Sequence, residues 1–600
     1  MALPPLLDLA TLRSLYAGGL SPRDCVAALA RRIDDADRAA FITAATLDQM
    51  LAQADALLDR APEPNSLPLW GVPFAVKDNI DVAGFPTTAA CTVLDRKVAG
   101  DAVVVAKLRA AGAIMVGKTN LDQFATGLNG TRSPYGAPRS VFDPAYISGG
   151  SSSGSAVAVA VGLACFALGT DTAGSGRVPA AFNNIVGVKP TPGLLSTTGL
   201  VPACRSLDCI SIFALSVSDG AEVRRIAEGY DAADPYSRDA AQGTLPANLR
   251  VGVLRAHDRE FFGDADAAAL YQAAIERIGG TIVEIDYAPF RDIAALLYQG
   301  PWVAERLAAF EDVDVPIAAV DASVAAIMMG GGQFSAVDAF RGQYELQALK
   351  RRADAEWAKI DVMMLPTAPT IYRVDEMLAD PIALNSRLGT YTNFFNLLGL
   401  SGIAVPAGFR SDGLPFGVTL AAPGFHDAAL EPIADHLHRA AGTGSGRERM
   451  PLAPAPPAAP PAAERLDIAV VGAHLSGMAL HHELEALGAR FVAETRTAGD
   501  YRLFLLPGAT PPKPGLYRDP GFAGPGVTIE IWSLAAADFG RFVAKIPAPL
   551  GIGKVALDGG GEVSCFLCAE AALAGAQEIT GFGGWRDYVA SLNEAQKIPA

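Results

Sequence analysis

Short apolar runs alternate with helix-like segments along the first 440 residues of the chain. Residues 101–111 (DAVVVAKLRAA) carry apolar side chains at the spacing of an amphipathic helix. Residues 113–116, 250–254 and 361–365 are short apolar runs bounded by Gly, Pro or Asp, which is typical of buried strands. This alternation predicts an α/β domain over residues 1–440, with a mixed central sheet flanked by helices.

The longest apolar run, residues 156–169, directly follows the serine-rich segment 148–155 (SGGSSSGS). It is shorter than the ~20 residues that span a bilayer, so we expect no membrane-spanning helix. Composition alone would make the serine-rich segment a flexible linker, but a linker is not normally continued by an apolar run. We therefore expect residues 156–168 to form a buried helix, with the serine-rich loop at its N-terminus, where backbone N–H groups point outward.

A second domain is predicted after residues 441–464, where Gly and Ser give way to a Pro/Ala tract with the composition of a linker. Residues 465–600 contain short strand-like segments separated by turn signals such as residues 558–561 (DGGG). These segments are residues 467–471, 490–493, 502–506, 527–532 and 562–567. The pattern predicts a small, mostly-β, barrel-like C-terminal domain.

Acidic residues outnumber basic ones, 64 to 48, which gives a formal net charge of −16. This charge disfavours nonspecific binding to nucleic acid or to an anionic membrane, because both need a positive field. An anionic substrate would have to be bound locally, by a particular arginine.

The seven cysteines do not have the spacing of a disulfide scaffold: Cys25, Cys91, Cys165, Cys204, Cys209, Cys565 and Cys568. They indicate buried thiols in a reducing compartment, and the N-terminus MALPPLLDLA lacks the pattern of a secretory signal. We therefore expect a cytoplasmic protein. Cys565 and Cys568 fall on opposite faces of a predicted strand and have no second Cys pair, so we expect core packing and no metal.

None of the seven histidines lies in the first 256 residues, which excludes a Ser-His-Asp triad within that part of the chain. Residues 172–175 (TAGS) can supply a serine nucleophile and consecutive backbone N–H donors for an oxyanion. A lysine can act as the base if burial keeps it neutral. Lys77 ends an apolar stretch in GVPFAVKDNID and is a candidate, although a surface lysine at a strand end is the alternative.

Three motifs together resemble the amidase-signature hydrolases: Lys77 in AVKDNID, Ser151 in SGGSSSGSA and Ser175 in GTDTAGSGRVPA, at intervals of 74 and 24 residues. The resemblance covers residues 1–440. It implies that Ser175 is the nucleophile, that Ser151, preceded by a cis peptide, relays the proton, and that Lys77 is the base. It also implies an oxyanion hole formed by the backbone amides of Thr172, Ala173, Gly174 and Ser175. The side chains of Asp171 and Arg177 are implied to be structural hydrogen-bonding groups around this loop. Where this chain has Ala173-Gly174-Ser175, the family usually has Gly-Gly-Ser.

The segments DTAGSGRVPAAFNNIVGVKPT and AVVGAHLSGMALHHEL resemble the allophanate hydrolase subgroup of that family. The resemblance implies a small anionic substrate, urea carrying an N-carboxylate, which the enzyme converts to ammonia and carbon dioxide without a cofactor. Tyr298 and Arg306, eight residues apart in LYQGPWVAERL, are expected about two helical turns apart on one face and able to bind the carboxylate. The alternative is an ordinary amphipathic helix with Arg306 paired to a surface acid.

The C-terminal domain resembles the gamma-glutamylcyclotransferase-like fold, whose entrance loop corresponds to residues 472–477 (GAHLSG). We expect this domain to assist decarboxylation of N-carboxycarbamate, with His482 preferred to His474 for proton transfer. The alternative is that these histidines, together with His481, are solvent-exposed or capping residues.

Other functions stay open from the sequence alone. One is an amidase of the same signature that acts on a neutral aliphatic or aryl amide, and another is the glutaminase subunit of a tRNA-dependent amidotransferase, which the acidic charge disfavours. A third is a noncatalytic scaffold subunit, which the intact Lys77, Ser151 and Ser175 oppose. The sequence does not determine the oligomeric state, and a homodimer is one assembly that it leaves open.

Overall fold

The structure, a computed structural model, describes residues 3–94, 96, 98–454, 465–508 and 512–595. The chain divides into two compact units, Met1–Ala453 and Pro454–Ala600. The boundary lies within the predicted linker, residues 441–464, of which residues 455–464 lie outside the described part of the chain. Before the boundary, the N–H of Gly446 donates to the Asn184 carbonyl (2.7 Å), so the first unit continues past residue 440.

A single mixed sheet forms the centre of the first unit. Its strands are β1 (Phe41–Ala44), β2 (Pro73–Lys77), β3 (Ile114–Thr119), β4 (Phe166–Thr170), β5 (Val186–Lys189), β6 (Ile210–Ala214), β7 (Arg250–Leu254), β8 (Thr281–Ile285), β9 (Val362–Pro366), β10 (Ser401–Phe409) and β11 (Pro415–Ala422). Their order in the sheet is β1-β3-β2-β4-β6-β5-β10-β11-β9-β7-β8. β2 pairs in parallel with β3 and β4, whereas β4 and β6 are antiparallel. The predicted mixed sheet is confirmed.

Helices flank this sheet. They are α1 (Leu9–Ala17), α2 (Pro22–Asp34), α3 (Leu47–Arg60), α4 (Val103–Ala110), α5 (Ser153–Ala160), α6 (Val178–Phe182), α7 (Val217–Ala227), α8 (Ala265–Arg277), α9 (Ala288–Gln299), α10 (Trp302–Glu311), α11 (Ala322–Met329), α12 (Ala336–Trp357), α13 (Val374–Ala379), α14 (Ala383–Leu388) and α15 (Asp427–Ala441). Short 3-10 helices span Arg38–Ala40, Gln123–Ala125, Ala256–Asp258, Ile317–Ala319 and Gly330–Gln333. Every residue of β2, β3, β4 and β6 is buried. Strands covered on both faces are apolar throughout rather than alternating, which explains their short apolar runs.

The prediction of one buried helix over residues 156–168 is wrong. The run is divided between α5, which ends at Ala160, and β4, which begins at Phe166. Gly162 makes the turn between them with a φ of +73°, and a Cβ at this position would collide with the carbonyl oxygen of Pro5. Helix and strand are equally apolar here because both are fully buried, so composition does not separate them.

The second unit contains two smaller sheets. Its strands are β12 (Arg465–Val470), β13 (Arg490–Arg496), β14 (Tyr501–Leu505), β15 (Pro514–Arg518), β16 (Thr528–Ala535), β17 (Leu550–Ala556), β18 (Glu562–Cys568) and β19 (Gln577–Glu578). The sheet orders are β13-β16-β12-β18-β17 and β15-β14-β19. Its helices are α16 (His481–Ala486), α17 (Ala536–Val543) and α18 (Trp585–Ala595), with 3-10 helices at Glu570–Leu573 and Thr580–Phe582. The unit has its own apolar core, and the mostly-β prediction is confirmed.

All seven cysteines are buried and free. Among the described residues, no helix has both the length and the apolar character needed to cross a membrane.

Candidate active site

Lys77 lies at the carboxyl end of β2, near the middle of the large sheet, and its side chain is fully buried. Its ammonium donates to Ser151 Oγ (2.8 Å) and to Thr170 Oγ1 (2.6 Å). Burial lowers the pKa of Lys77 to about 7, although the charges of Asp122, Asp208 and Asp171 oppose this shift. A lysine with this pKa is substantially neutral at physiological pH and can accept a proton.

Ser151 is held by a loop that packs tightly on Asp122. The peptide bond between Gly150 and Ser151 is cis. The carbonyl of Ser151 accepts a hydrogen bond from the Asp122 N–H (3.0 Å), and a Cβ at Gly150 would collide with the Asp122 carboxylate. The same carboxylate accepts the N–H of Gly130 (3.0 Å). These contacts fix the position of Ser151 beside Lys77.

Ser175 lies on the loop between β4 and α6 and is also buried. Its hydroxyl donates to the Gly127 carbonyl (3.4 Å), and Gly127 in turn packs against Asp122. Within the described residues no hydrogen bond joins Ser175 to Ser151. The structure therefore brings Lys77 and Ser151 into direct contact and holds Ser175 against the segment that supports Ser151.

The loop that carries Ser175 exposes consecutive backbone donors. Among the described residues, no protein acceptor is bound by the N–H groups of Thr172, Ala173, Gly174 or Ser175. Gly174 has a φ of +143°, and a Cβ there would collide with the Thr392 hydroxyl, so glycine is required at this position. Unpaired N–H groups in sequence can stabilise an oxyanion on a substrate bonded to Ser175.

A buried ion pair supports the two ends of this loop. The Arg177 guanidinium donates to both carboxylate oxygens of Asp171 (2.8 and 3.0 Å), and the Gly176 N–H donates to the same carboxylate (3.1 Å). Burial alone would raise the pKa of Asp171, but the Arg177 charge and hydrogen bonds outweigh it and lower that pKa. The Arg177 guanidinium also stacks over the Phe395 ring at 3.9 Å.

Three site residues are absent from the sequence-based candidates: Thr170, Asp208 and Asn396. Thr170 lies in the GTDTAGS segment and binds Lys77, whereas Asp208 accepts the Thr172 hydroxyl (2.6 Å). Asn396 binds the carbonyls of Asp171 and Thr172 from 225 and 224 residues away. Thr170 could have been proposed from the sequence, because it lies inside the same motif as Ser175. Nothing in the sequence connects Asn396 to this loop.

The prediction that Tyr298 and Arg306 lie on one helix is wrong. α9 ends at Gln299 and α10 begins at Trp302, because Gly300 is extended and Pro301 starts a new helix. The two side chains nevertheless meet. Arg306 Nη2 donates to the Tyr298 hydroxyl (3.2 Å), and the guanidinium lies 5.0 Å from the centre of the Tyr298 ring.

Arg306 is buried, with 1% of its surface exposed, and it lacks an acidic partner. In the described part of the chain its guanidinium forms no ion pair, and its Nε has no acceptor, although Asp208 and Glu305 act on its charge from a longer distance. Its Nη1 donates to the Thr126 hydroxyl (3.3 Å). The alternative of a surface ion pair is therefore wrong. A buried guanidinium without a carboxylate is a suitable receptor for a substrate anion.

Tyr298 also lines a cavity of about 860 Å³ in the first unit. Leu128, next to the Gly127 that binds Ser175, lines the same cavity, as does Asn385. Asn385 accepts the N–H of Leu128 (2.8 Å). The cavity thus reaches Tyr298, which contacts Arg306, and Leu128, which follows the residue that accepts the Ser175 hydrogen bond.

The second unit contains a smaller cavity of about 240 Å³, and His474 lines it. His474 Nε2 lies 3.3 Å from a Glu483 oxygen, and Lys513 and Lys545 line the same cavity. Burial lowers the pKa of His474, against the opposing effect of Glu483. His482 is exposed, with its Nδ1 3.0 Å from the Ala479 carbonyl, and is not among the residues that line this cavity.

No cluster of three or more His, Cys, Asp or Glu side chains arranged to hold a metal is found among the described residues.

Family comparisons agree with both units. The profile of the Amidase family matches residues 24–430, and the profile described as the allophanate hydrolase C-terminal domain matches residues 466–590. The first profile covers every strand of the large mixed sheet, and it includes Lys77, Ser151 and Ser175. The chain belongs to the amidase family.

Individual relatives resemble both parts of the chain. Urea amidolyase of Lachancea kluyveri is 42% identical over 570 residues, which cover 91% of this chain and 31% of that protein, so this chain spans about a third of the relative's length. Urea amidolyase of Saccharomyces cerevisiae is 42% identical over 583 residues, covering 93% of this chain and 32% of that protein. The solved structure of SeMet-substituted Kluyveromyces lactis allophanate hydrolase is 38% identical, with a TM-score of 0.72, and covers 98% of this chain and 99% of that chain.

Proposed function

We propose that this chain hydrolyses allophanate, with Ser175 as nucleophile and Lys77 as base. The observation that carries the substrate assignment is Arg306, a buried guanidinium beside Tyr298 with no carboxylate partner among the described residues. An amidase for neutral amides would not need a positive charge to bind its substrate. The similarity to proteins named urea amidolyase and allophanate hydrolase supports the same substrate.

The proposed reaction begins when neutral Lys77 takes the Ser151 proton while Ser151 takes the proton of Ser175. Ser175 Oγ then bonds to the carbon of the terminal amide, and the N–H groups of residues 172–175 stabilise the oxyanion. The C–N bond breaks as the proton returns through Ser151 to the leaving nitrogen, which departs as ammonia. Water hydrolyses the acyl-enzyme, restores Ser175 and yields N-carboxycarbamate.

The absence of a hydrogen bond between Ser151 and Ser175 in the described structure is compatible with this sequence of steps. Hydrogen bonds of catalytic groups are often long without substrate and shorten when it binds. The Ser175 hydroxyl instead donates to the Gly127 carbonyl at 3.4 Å, which is a weak contact and easily exchanged.

The substrate carboxylate is assigned to Arg306 and Tyr298. Replacing Arg306 by lysine keeps the charge but removes the planar fork that binds both carboxylate oxygens. We expect Arg306→Lys to lower kcat/KM on allophanate by about 10- to 150-fold, because losing one hydrogen bond to a charged group costs about 1.5–3 kcal/mol. Tyr298→Phe is expected to act in the same direction. Ammonia release is measured with allophanate, biuret, malonamide and simple amides.

The matched control is Arg224→Lys, which changes another buried arginine that is paired with Glu431 (2.9 Å) instead of a substrate. We expect this variant to lose stability without a preference between substrates. If Arg306→Lys lowers the rates on allophanate and on neutral amides equally, the carboxylate receptor lies elsewhere.

The second unit is assigned to the decay of N-carboxycarbamate. In this step a C–N bond breaks, carbon dioxide leaves and the nitrogen takes a proton. Lys513 and Lys545 supply positive charge for a dianion, and His474, paired with Glu483, is the group that exchanges the proton. The cavity favours His474 over His482, which reverses the preference drawn from the sequence.

We expect His474→Ala in the full chain to leave ammonia release unchanged but to slow the decay of N-carboxycarbamate to its spontaneous rate. Carbon-13 NMR follows the intermediate directly, because ammonia measurements would not detect this step. His482→Ala is the matched control and should decay at the rate of the unaltered chain. If His482→Ala slows the decay and His474→Ala does not, the assignment is reversed.

Three further expectations stay predictions: the domain limits 1–440, 441–464 and 465–600, the cytoplasmic location, and the homodimer. An apolar stripe on α12 supports the last of these. Val337, Phe340 and Tyr344 are 58%, 62% and 69% exposed and follow one another at helical spacing.

The alternative of a noncatalytic scaffold subunit would be supported if a serine-reactive probe failed to label Ser175.

A further inference from the structure

Asn396 lies directly behind the loop that carries Ser175 and is buried, with 6% of its surface exposed. Its Nδ2 donates to the carbonyls of Asp171 (2.5 Å), Leu207 (2.7 Å) and Thr172 (3.2 Å). The orientation of the amide is determined by this environment, because the reversed amide would direct its oxygen at three other oxygens.

Two of these three carbonyls belong to consecutive residues of the loop, which determines where the next N–H groups point. In a trans peptide the N–H points opposite to the carbonyl of the preceding residue. The peptides that follow Asp171 and Thr172 are trans. Because Asn396 binds both carbonyls from one side, the N–H groups of Thr172 and Ala173 both point away from Asn396.

The N–H of Ser175 is oriented by a different device. The carbonyl of Gly174 accepts the N–H groups of Arg177 (2.9 Å) and Val178 (2.8 Å), where the chain enters α6. The N–H of Ser175 therefore points away from that turn. Local hydrogen bonding is sufficient for this donor, whereas the donors at residues 172 and 173 depend on a side chain from a distant segment.

Asp208 restrains the same part of the loop through a side chain. It accepts the Thr172 hydroxyl at 2.6 Å and the N–H groups of Ala203 (2.8 Å) and Cys204 (3.1 Å). Thr172 is thus held by its carbonyl on Asn396 and by its hydroxyl on Asp208. Two independent attachments leave the peptide between Thr172 and Ala173 little freedom to rotate.

We propose that Asn396 is a positioning residue for the oxyanion hole, which directs the N–H groups of Thr172 and Ala173 towards the reacting carbon. This inference rests on the proposed function, in which Ser175 forms a tetrahedral adduct. Asn396 itself does not touch the substrate. It acts before the reaction, because donors already aimed at the oxyanion need no reorganisation in the transition state.

The test is Asn396→Asp, which keeps the volume of the side chain and removes both N–H donors. We expect kcat to fall about 10²-fold, the usual effect of losing an oxyanion-hole donor, while KM changes less than about threefold. A carboxylate-bearing boronic acid, which forms a tetrahedral anion on Ser175, should bind more weakly by about the same factor as kcat falls. Malonate, which presents carboxylates without forming an adduct, should bind unchanged.

The matched control is Asn184→Asp. Asn184 is also a buried asparagine whose Nδ2 donates to backbone carbonyls, those of Gly446 (3.2 Å) and Gly444 (3.5 Å), and whose Oδ1 has no partner in the described part of the chain. It should lower the thermal midpoint by an amount similar to Asn396→Asp, and it should leave kcat within about twofold. If Asn396→Asp does not fold, Asn396→Ala, which introduces no charge, is measured in the same way.

The positioning role is overturned if the folded Asn396 variants keep kcat within about threefold of the unaltered chain. It is also overturned if they lose malonate and boronate binding equally, which would indicate general disorder of the site. The proposed function fails by a different result, namely ammonia release that persists in Ser175→Ala. If another amide proves to be the substrate, kcat of the Asn396 variants and of the unaltered chain is compared with that amide.

Discussion

Replacing Ser175 by alanine is expected to lower kcat for ammonia release by about 10⁶-fold, the size of loss found when the nucleophile of a serine hydrolase is removed. No other hydroxyl lies in the loop segment that carries the unpaired N–H groups, apart from Thr172, which donates to Asp208. Lys77→Met should be nearly as damaging. Its Nζ is in contact with Ser151 Oγ at 2.8 Å, and the proton has no other acceptor.

The double variant Ser175→Ala/Lys77→Met should be hardly slower than either single variant, because groups that act as one unit give non-additive losses. Ser153→Ala is the matched control. Ser153 is a buried serine at the start of α5 whose hydroxyl has no partner among the described residues, and its removal should leave kcat within about twofold. Losses that multiply in the double variant would exclude a proton relay between Ser175 and Lys77.

The sheet is predictable from the sequence because its central strands are short apolar runs with clear ends. Lys77 is at the end of β2, as its position after the apolar stretch predicts. The low pKa of Lys77 is not predictable in this way, because it is caused by burial in the folded chain, where the ammonium contacts Ser151 and Thr170, which are 74 and 93 residues away. The sequence can indicate a lysine of the right type but not its environment.

In two places the sequence predicts one element where a glycine divides the chain between two. Buried helix and buried strand have similar composition, so the sequence predicts one element over residues 156–168 although Gly162 turns the chain between two. Gly300 and Pro301 likewise end α9 and start α10. Tyr298 and Arg306 still meet, but they do so through the angle between two helices and not through helical periodicity.

Lys77 also makes activity depend on pH in a definite direction. The base must be neutral, and burial lowers the pKa of Lys77 to about 7. We therefore expect kcat/KM for ammonia release to fall about tenfold for each pH unit below 7 and to level off above it. A profile that is flat from pH 5 to pH 8 would exclude Lys77 as the base.

The same low pKa predicts that Lys77→Met stabilises the fold while it abolishes activity. Unfolding returns Lys77 from a pKa of about 7 to its ordinary value of 10.5, which corresponds to about 5 kcal/mol at about 1.4 kcal/mol per unit. Between pH 7 and 10.5 the unfolded chain binds a proton that the folded chain does not, so the stability of the unaltered protein rises with pH across this window. Below pH 7 both states carry the proton, and the destabilisation is constant and largest.

Methionine removes this destabilisation and loses the two hydrogen bonds to Ser151 and Thr170, each worth about 1 kcal/mol. The net gain at pH 6 is about 2–3 kcal/mol, or about 2–3 °C in the thermal midpoint of a domain of this size. The gain should shrink as the pH rises from 7 and reach zero at about pH 9, where the remaining destabilisation equals the contribution of the two lost hydrogen bonds. Above that pH the variant should be the less stable protein, and calorimetry at a series of pH values would measure the difference between the two proteins. Ser153→Ala, which removes a buried polar group without a charge, should show no such pH dependence. If Lys77→Met has a lower thermal midpoint than the unaltered chain at pH 6, burial does not destabilise the charged form of Lys77. The pKa of Lys77 would then not be lowered by burial, and Lys77 would not be a base near neutral pH.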